Sequence, residues 1–346
     1  MIASAELLRA REHDAAGRHG EAVDELARAT RGGDLQAMSE LGHRLLNGDR
    51  APRLPDDGVN LIADAAHGGE ARALARIAAL TGAGAFFRQD WPESICLLGE
   101  AAAAGDDSAR GQILALQPAD DPQPANDPQP DWVAQAARIN LEEWLRPAAT
   151  VPLHEKVHRA PSLVPVRVCE WLIGRARGRL ERATVYDAVS RRDEVHEMRS
   201  NTVANFDYAS LDVVQFLVQA RMSLACGLRM QQFEAPMVLH YDVGQQITPH
   251  FDFIDVNAPD YEQQIREQGQ RMITFLLYLN DDYAGGETTF PKLGLVNRGV
   301  RGEGLYFINA HPDGAADRNM LHTGSPPTAG EKWIVSQFIR NIPLRP

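Results

Sequence analysis

The sequence predicts an α+β protein in two parts: an all-α block of helical repeats, then a half in which helices precede short strands. Three observations carry this. A 36-residue repeat runs through the first 116 residues, a Pro-, Asp- and Gln-rich stretch then abolishes apolar periodicity, and the chain after about residue 235 reads as short strands. The expected division is residues 1–116 for the repeats, 117–130 for a linker and 131–346 for the second domain, with its strand-rich core over about 236–346.

The repeat is visible as "GGD", "GGE" and "AGD" around Gly33, Gly69 and Gly105. Leu26, Ile62 and Leu98 share that spacing, as do Ala29, Ala65 and Ala101. Ala37, Ala73 and Ala109 follow, then Leu41, Ile77 and Ile113. A further position holds Leu80 and Leu116 in the later copies but Arg44 in the first, with Leu45 beside it. Apolar residues three or four apart on either side of each glycine predict a helix hairpin. The glycine stops one helix, and the acidic residue after it caps the next. Such units cannot bury their faces alone and must stack. Over roughly residues 20–116 the block resembles Sel-like repeats, relatives of tetratricopeptide repeats. That resemblance implies a concave docking surface for a protein partner; a stabilising or dimerising helical cap is the alternative.

"QPADDPQPANDPQP", residues 117–130, is too rich in proline for a helix and reads as an extended spacer. "DWVAQAARINLEEWL", "VRVCEWLIGRARGRL" and "SLDVVQFLVQARMSLACGL" read as amphipathic helices that buttress the strands after them. "PMVLHYDVG", "RMITFLLYLN", "GLYFINA" and "EKWIVSQFIR" read as strands between turn residues. Several short strands of this kind suggest a sandwich or jelly roll.

Composition excludes some functions. The 346 residues carry a net charge of −12, which disfavours a nucleic-acid footprint built from clustered Lys and Arg. Cys96, Cys169 and Cys226 are scattered and odd in number, so they read as small buried side chains in a reducing compartment. The first residues meet charge early and do not read as a secretory signal, and no apolar run reaches membrane-spanning length. The expectation is a cytoplasmic protein with no nucleic-acid or membrane partner.

The chemistry lies in "TPHFDFID". On a strand, His250 and Asp252 would share one face, with Phe251 on the other. His322, in "RNMLHTGSPPTAGEKW", would supply a third ligand. Two histidines and a carboxylate form the facial triad of non-haem Fe(II) oxygenases. Lys332 lies ten residues after His322 and would face the same interior if the last strands run antiparallel. A buried lysine needs an anion. A doubly ionised 2-oxoglutarate would balance Lys332, Asp252 and a ferrous ion to neutrality, which a barrel interior tolerates.

Residues 165–346 resemble the prolyl 4-hydroxylase branch of the Fe(II)/2-oxoglutarate dioxygenases. The resemblance rests on "LHYDVGQQITPHFDFID", "GQRMITFLLYLNDDYAGGETTFPKLG", "GLYFIN", "DRNMLHTGSPPTAGEKWIVSQFIR" and, more weakly, "MRSNTVANFD". It implies a double-stranded β-helix with helices packed on one sheet. It implies Fe(II), 2-oxoglutarate and O2 as reactants, with ascorbate as a reductant, and hydroxylation of an unactivated C–H that yields succinate and CO2. His250, Asp252 and His322 match the iron ligands, and Lys332 the partner of the distal 2-oxoglutarate carboxylate. Tyr241 matches a co-substrate-pocket tyrosine, and the Tyr278 hydroxyl is expected to join Lys332. Gly285, Gly286, Glu287, Thr288 and Pro291 shape a turn, with Thr288 as a pocket wall. Arg271 faces substrate or forms a surface ion pair.

The sequence departs from the family at two positions. Ile247 stands where many members have a tyrosine, and Phe338 where many have a tryptophan. Both changes make the substrate mouth less polar. The reading is therefore a hydroxylase of prolyl residues in a protein or peptide, docked on the repeats. A hydroxylase of a small molecule and a non-catalytic helical adaptor are the alternatives. The polar insertion 256–270 is expected to act as a lid. His240 is expected at the surface or in a structural role, and His311 near the mouth.

Overall fold

The computed structural model describes residues 4–118, 130–187, 192–194, 198–208, 210–255, 261–311 and 313–344. It divides into two compact units, Met1–Leu141 with Ala209–Phe216 and Glu142–Tyr208 with Leu217–Pro346.

The first unit opens with α1 (Ala5–Ala15) and continues as three hairpins. These are α2 (His19–Arg31) with α3 (Leu35–Asn47), α4 (Pro55–His67) with α5 (Ala71–Ala83), and α6 (Trp91–Ala103) with α7 (Asp107–Leu116). Gly33, Gly69 and Gly105 adopt φ of 85°, 82° and 104°, the left-handed turn that ends one helix before the next begins. Asp34, Glu70 and Asp106 then accept from the backbone N–H of Ala37, Ala73 and Ala109, as the acidic cap position predicts. Leu26, Ile62 and Leu98 are fully buried. Gly42 and Gly58 let α3 and α4 touch: a Cβ on Gly58 would lie 2.5 Å from the Leu46 nitrogen. Arg44 fills the position of Leu80 and Leu116, and its buried guanidinium is held by Asp14 of α1 and, at 2.7 Å, by Glu40.

The expected helix over 131–145 divides into α8 (Trp132–Ala137) and α9 (Leu141–Trp144). The expected domain boundary at 131 also differs from the packing. α8 lies against α6, where a Cβ on Gly99 would come within 3.0 Å of Ala136. Gln117 donates to the Gln135 carbonyl at 2.9 Å, and Arg110 stacks on Trp132. α8 thus packs on the repeats through Ala136 and Trp132. Most of the expected linker, residues 119–129, lies outside the described residues.

The second unit begins with β1 (Val151–His154), β2 (Val157–Ala160) and α10 (Val166–Arg177). β3 (Glu181–Arg182), β4 (Val185–Asp187), β5 (Arg192–Glu194), β6 (Thr202–Asn205) and α11 (Val213–Cys226), whose residues up to Phe216 are counted with the first unit, follow. Then come β7 (Met237–Tyr241), β8 (Ile247–His250), α12 (Tyr261–Gln268), β9 (Arg271–Tyr278), β10 (Ala284–Gly285) and β11 (Thr288–Phe290). β12 (Leu295–Asn297), β13 (Gly304–Ile308), β14 (His322–Gly324), β15 (Pro327–Ala329) and β16 (Lys332–Arg340) complete the chain. An eight-stranded antiparallel sheet runs β1-β2-β13-β9-β16-β7-β6-β3, and a four-stranded one β12-β11-β14-β8. These two sheets make the jelly roll that the strand runs predict. Their shared core includes Leu239, Leu276, Phe290, Phe307 and Ile334. Each such fully buried side chain contributes about 1.5–3 kcal/mol. α10 buttresses the larger sheet as expected, with buried Val168, Cys169, Leu172 and Ala176 at helical spacing.

Two expectations change. The polar insertion carries α12, and residues 256–260 of it lie outside the described residues. Of the cysteines only Cys169 is fully buried; Cys96 is exposed, because its position on α6 faces away from the neighbouring hairpins. No helix among the described residues is long and apolar enough to cross a membrane.

Candidate metal centre

His250 ends β8 and His322 begins β14, and the two are register partners across the antiparallel pairing of these strands. Asp252 is not on the strand, as expected from its spacing, but in the loop just beyond it. The loop turns its carboxylate between the two rings. Asp252 Oδ1 lies 3.5 Å from His250 Nε2, and Oδ2 lies 3.2 Å from His322 Nε2. Because Phe251 also leaves the strand, its ring lines the same cavity rather than the opposite face.

The imidazoles are oriented by their other nitrogens. His250 Nδ1 meets the Thr248 carbonyl at 2.8 Å, and His322 Nδ1 meets the Met320 carbonyl at 3.1 Å. A carbonyl can only accept, so each Nδ1 carries a proton and Nε2 is the nitrogen left to face a metal. The rings of Phe290 and Phe307 pack on His322. Burial alone would raise the Asp252 pKa, but the His322 and His250 rings hold the carboxyl well below its usual range. Burial likewise opposes protonation of His322, and the Asp252 carboxylate outweighs it. The ligand atoms of the three residues lie within 4.8 Å of one another. Two inward imidazole nitrogens and one carboxylate fit a ferrous ion.

A cavity of about 920 Å³ opens on this cluster. β16 lines it at alternate positions through Lys332, Ile334, Ser336 and Phe338, and β7 through Met237, Leu239 and Tyr241. Lys332 pairs with Tyr241 across β16–β7 and is only 2% exposed. It therefore faces the histidines from the opposite sheet, as predicted from the sequence. Burial pushes its pKa down from 10.5 to about 8. Its ammonium donates to the Gly286 carbonyl at 2.7 Å. Gly286 has φ of 72° and a Cβ there would meet the Tyr283 ring at 2.9 Å, so the glycine is required by both backbone and space.

Tyr278 departs from expectation. It is fully buried but does not line the cavity, and its hydroxyl is 2.9 Å from Thr288 Oγ1 and 3.2 Å from Asn297 Nδ2. These partners, across the sheet interface, turn the hydroxyl from Lys332 toward Thr288, which does line the cavity. Ile247, Arg271 and Phe338 also line it. Arg271 stacks on Phe338 at 3.7 Å and is gripped by both Glu234 oxygens at 2.8 Å. Arg271 is thus at the cavity wall and in an ion pair at once. Burial raises the Glu234 pKa, and Arg271 with Arg340 more than reverses this.

The other histidines stand apart. His240 is buried rather than at the surface. It lies 3.0 Å from Thr202 Oγ1, 2.9 Å from Glu331, and beside the Trp333 ring. Glu331 is also paired with Arg177, so the nearby His240–Asp242–Glu331 group is a satisfied ion-pair network. His311 is exposed and absent from the cavity wall.

Sequence reasoning missed Thr274 and Asn309. Thr274 donates to Asp252 Oδ2 at 2.7 Å, and Asn309 donates to Thr274 at 2.8 Å. The available signal was a polar residue inside each of the apolar runs "RMITFLLYLN" and "GLYFINA".

Residues 236–340 match the 2OG-Fe(II) oxygenase superfamily. Probable prolyl 4-hydroxylase 7 of Arabidopsis thaliana is 30% identical over 189 residues, covering 49% of this chain and 58% of the relative. The chain thus spans less than two thirds of that relative's length. A solved viral collagen prolyl hydroxylase from Paramecium Bursaria Chlorella virus-1 covers 54% of this chain and 97% of its own, with 22% identity and a TM-score of 0.42. A Sel1 repeat protein from Oxalobacter formigenes covers 26% and 68%, with 32% identity and a TM-score of 0.25.

Proposed function

With a 2OG-Fe(II) oxygenase domain over residues 236–340 as the premise, we propose that this chain is an Fe(II)- and 2-oxoglutarate-dependent dioxygenase that hydroxylates prolyl residues of a protein or peptide. One observation carries the reading: two histidines on one sheet and Asp252 in the loop beside them face a buried lysine on the other sheet.

His250 Nε2, Asp252 and His322 Nε2 would hold the ferrous ion. Ion and co-substrate together supply the oxidising power, with succinate and CO2 as co-products. Lys332, desolvated and with no carboxylate hydrogen-bonded to it among the described residues, would take the distal carboxylate of 2-oxoglutarate. The Tyr241 hydroxyl, whose pKa burial pushes up to about 12, stays protonated and can donate to the same anion. Thr288 would complete that wall, with Tyr278 holding it from behind. Phe251, Ile247 and Phe338 would give the cavity its apolar walls. The helical repeats would dock the macromolecular substrate, and Phe86 and Phe87 project from one inter-helix loop at 44% and 36% exposure. Three free cysteines favour a cytoplasmic setting, in which ascorbate would serve as reductant.

The decisive assay is succinate release by the full chain with Fe(II) and 2-oxoglutarate, followed by a +16 mass shift on proline-containing peptides. Absence of both metal binding and co-substrate turnover would leave only a helical adaptor. The apolar Ile247–Phe338 mouth favours a second reading, a small-molecule substrate; stimulation by free proline but not by any peptide would select it.

A further inference from the structure

The two histidines and Asp252 are held differently. Each imidazole is anchored by a carbonyl two residues upstream on its own chain segment, Thr248 and Met320. Asp252 lies beyond the end of β8 and accepts instead from another strand, through Thr274 Oγ1 of β9 at 2.7 Å. Thr274 is 1% exposed and accepts in turn from Asn309 Nδ2 at 2.8 Å. Asn309, fully buried just past β13, is pinned at both ends of its peptide. Its N–H donates to the Met272 carbonyl at 2.7 Å, and its carbonyl accepts from Asp317 N–H at 3.0 Å.

This chain has a direction. Asn309 Nδ2 can only donate, so it occupies a lone pair of the Thr274 oxygen and leaves the hydroxyl proton for Asp252. A carboxylate held at one oxygen cannot rotate freely about Cβ–Cγ, and the torsion it presents to an ion is set before the ion arrives. We propose that Thr274 and Asn309 are positioning residues that pre-set Asp252 for metal capture. The inference rests on the iron-centre reading above. Neither residue touches the cavity wall, so neither contributes to substrate contact. The hydroxyl of Thr274, not its shape, is what the metal site needs.

The test is anaerobic Co(II) titration of the full-length apo protein, read by visible absorption, for wild type, Asp252→Ala, Thr274→Val, Thr274→Ser and Asn309→Leu. Thr274→Val keeps the side-chain shape and removes the donor; it should weaken Co(II) binding by about 10–100-fold. Thr274→Ser restores the donor and should bind within about threefold of wild type. Asn309→Leu, which lets the hydroxyl turn, should fall between them. Co(II) affinity in Thr274→Val equal to wild type would overturn the relay while leaving the iron centre standing. Equal losses in Thr274→Val and Thr274→Ser would also overturn it, because the hydroxyl would then be irrelevant. Wild type binding no better than Asp252→Ala would remove the centre itself and the relay with it.

Discussion

His322 sits directly opposite His250 across the β8–β14 pairing, with ring centroids 4.3 Å apart. Two strands therefore present two ligands at one rung, and the loop after His250 adds the third. Alanine at His250, Asp252 or His322 should abolish stoichiometric Fe(II) binding and reduce succinate formation to background. The fold should survive, as judged by circular dichroism. Metal content measured after anaerobic reconstitution checks this, and full iron occupancy in any of the three would contradict the assignment.

Lys332 and 2-oxoglutarate should be linked through pH. Burial disfavours the ammonium, so the cost to the apo fold is present below about pH 8 and fades as pH rises toward 10.5. Binding a dianion needs the charged form, so 2-oxoglutarate affinity should fall by about tenfold per pH unit above 8. Lys332→Met should therefore melt higher than wild type without ligand, and should keep any shift from Mn(II) alone yet lose the further shift that 2-oxoglutarate adds. A thermal-shift series over pH 6.5–9.5, with Mn(II) alone and with Mn(II) plus 2-oxoglutarate, reads both effects, and a 2-oxoglutarate-induced shift that persists in the variant would refute the role.

The mouth should set substrate choice without touching the co-substrate. Ile247→Tyr and Phe338→Trp are expected to change the KM for a prolyl peptide by roughly tenfold, about 1.4 kcal/mol. The KM for 2-oxoglutarate should stay within about twofold of wild type. Steady-state kinetics with each substrate varied in turn separates the two. A parallel change in both constants would place these residues in the co-substrate pocket instead.

In the helical unit, Arg44→Leu alone would strand the Asp14 and Glu40 carboxylates, whereas Arg44→Leu combined with Asp14→Ala replaces the buried Arg44–Asp14 pair by apolar side chains, a change that is often neutral or stabilising. Asp14→Ala instead strips Arg44 of its two bonds to that carboxylate and should cost about 1.5–3 kcal/mol. Urea unfolding of both variants measures the contrast. A larger loss in the double variant than in Asp14→Ala alone would show that the arginine does more than fill the repeat position.

Much of this protein was legible in its residues because the informative signals are local. The 36-residue period names which side chains share a helix face, and each Gly-acid pair marks a stop and a cap within a few residues. Alternation along "EKWIVSQFIR" sends Lys332 to the same side as Ile334, and the motif order brings the four chemical residues forward without any contact being known. What the tertiary structure alone decided depends on pairings between distant strands. The register that sets His322 against His250 also sends the Tyr278 hydroxyl to Thr288 and Asn297 rather than to Lys332. The early end of β8 frees Phe251 to line the cavity, and exposed apolar residues of 131–137 join whichever surface reaches them, here α6. The Asp252–Thr274–Asn309 chain joins residues far apart in sequence by hydrogen bonds that exist only once β8, β9 and β13 are assembled. Periodicity states which side chains face together; only sheet pairing states what they face.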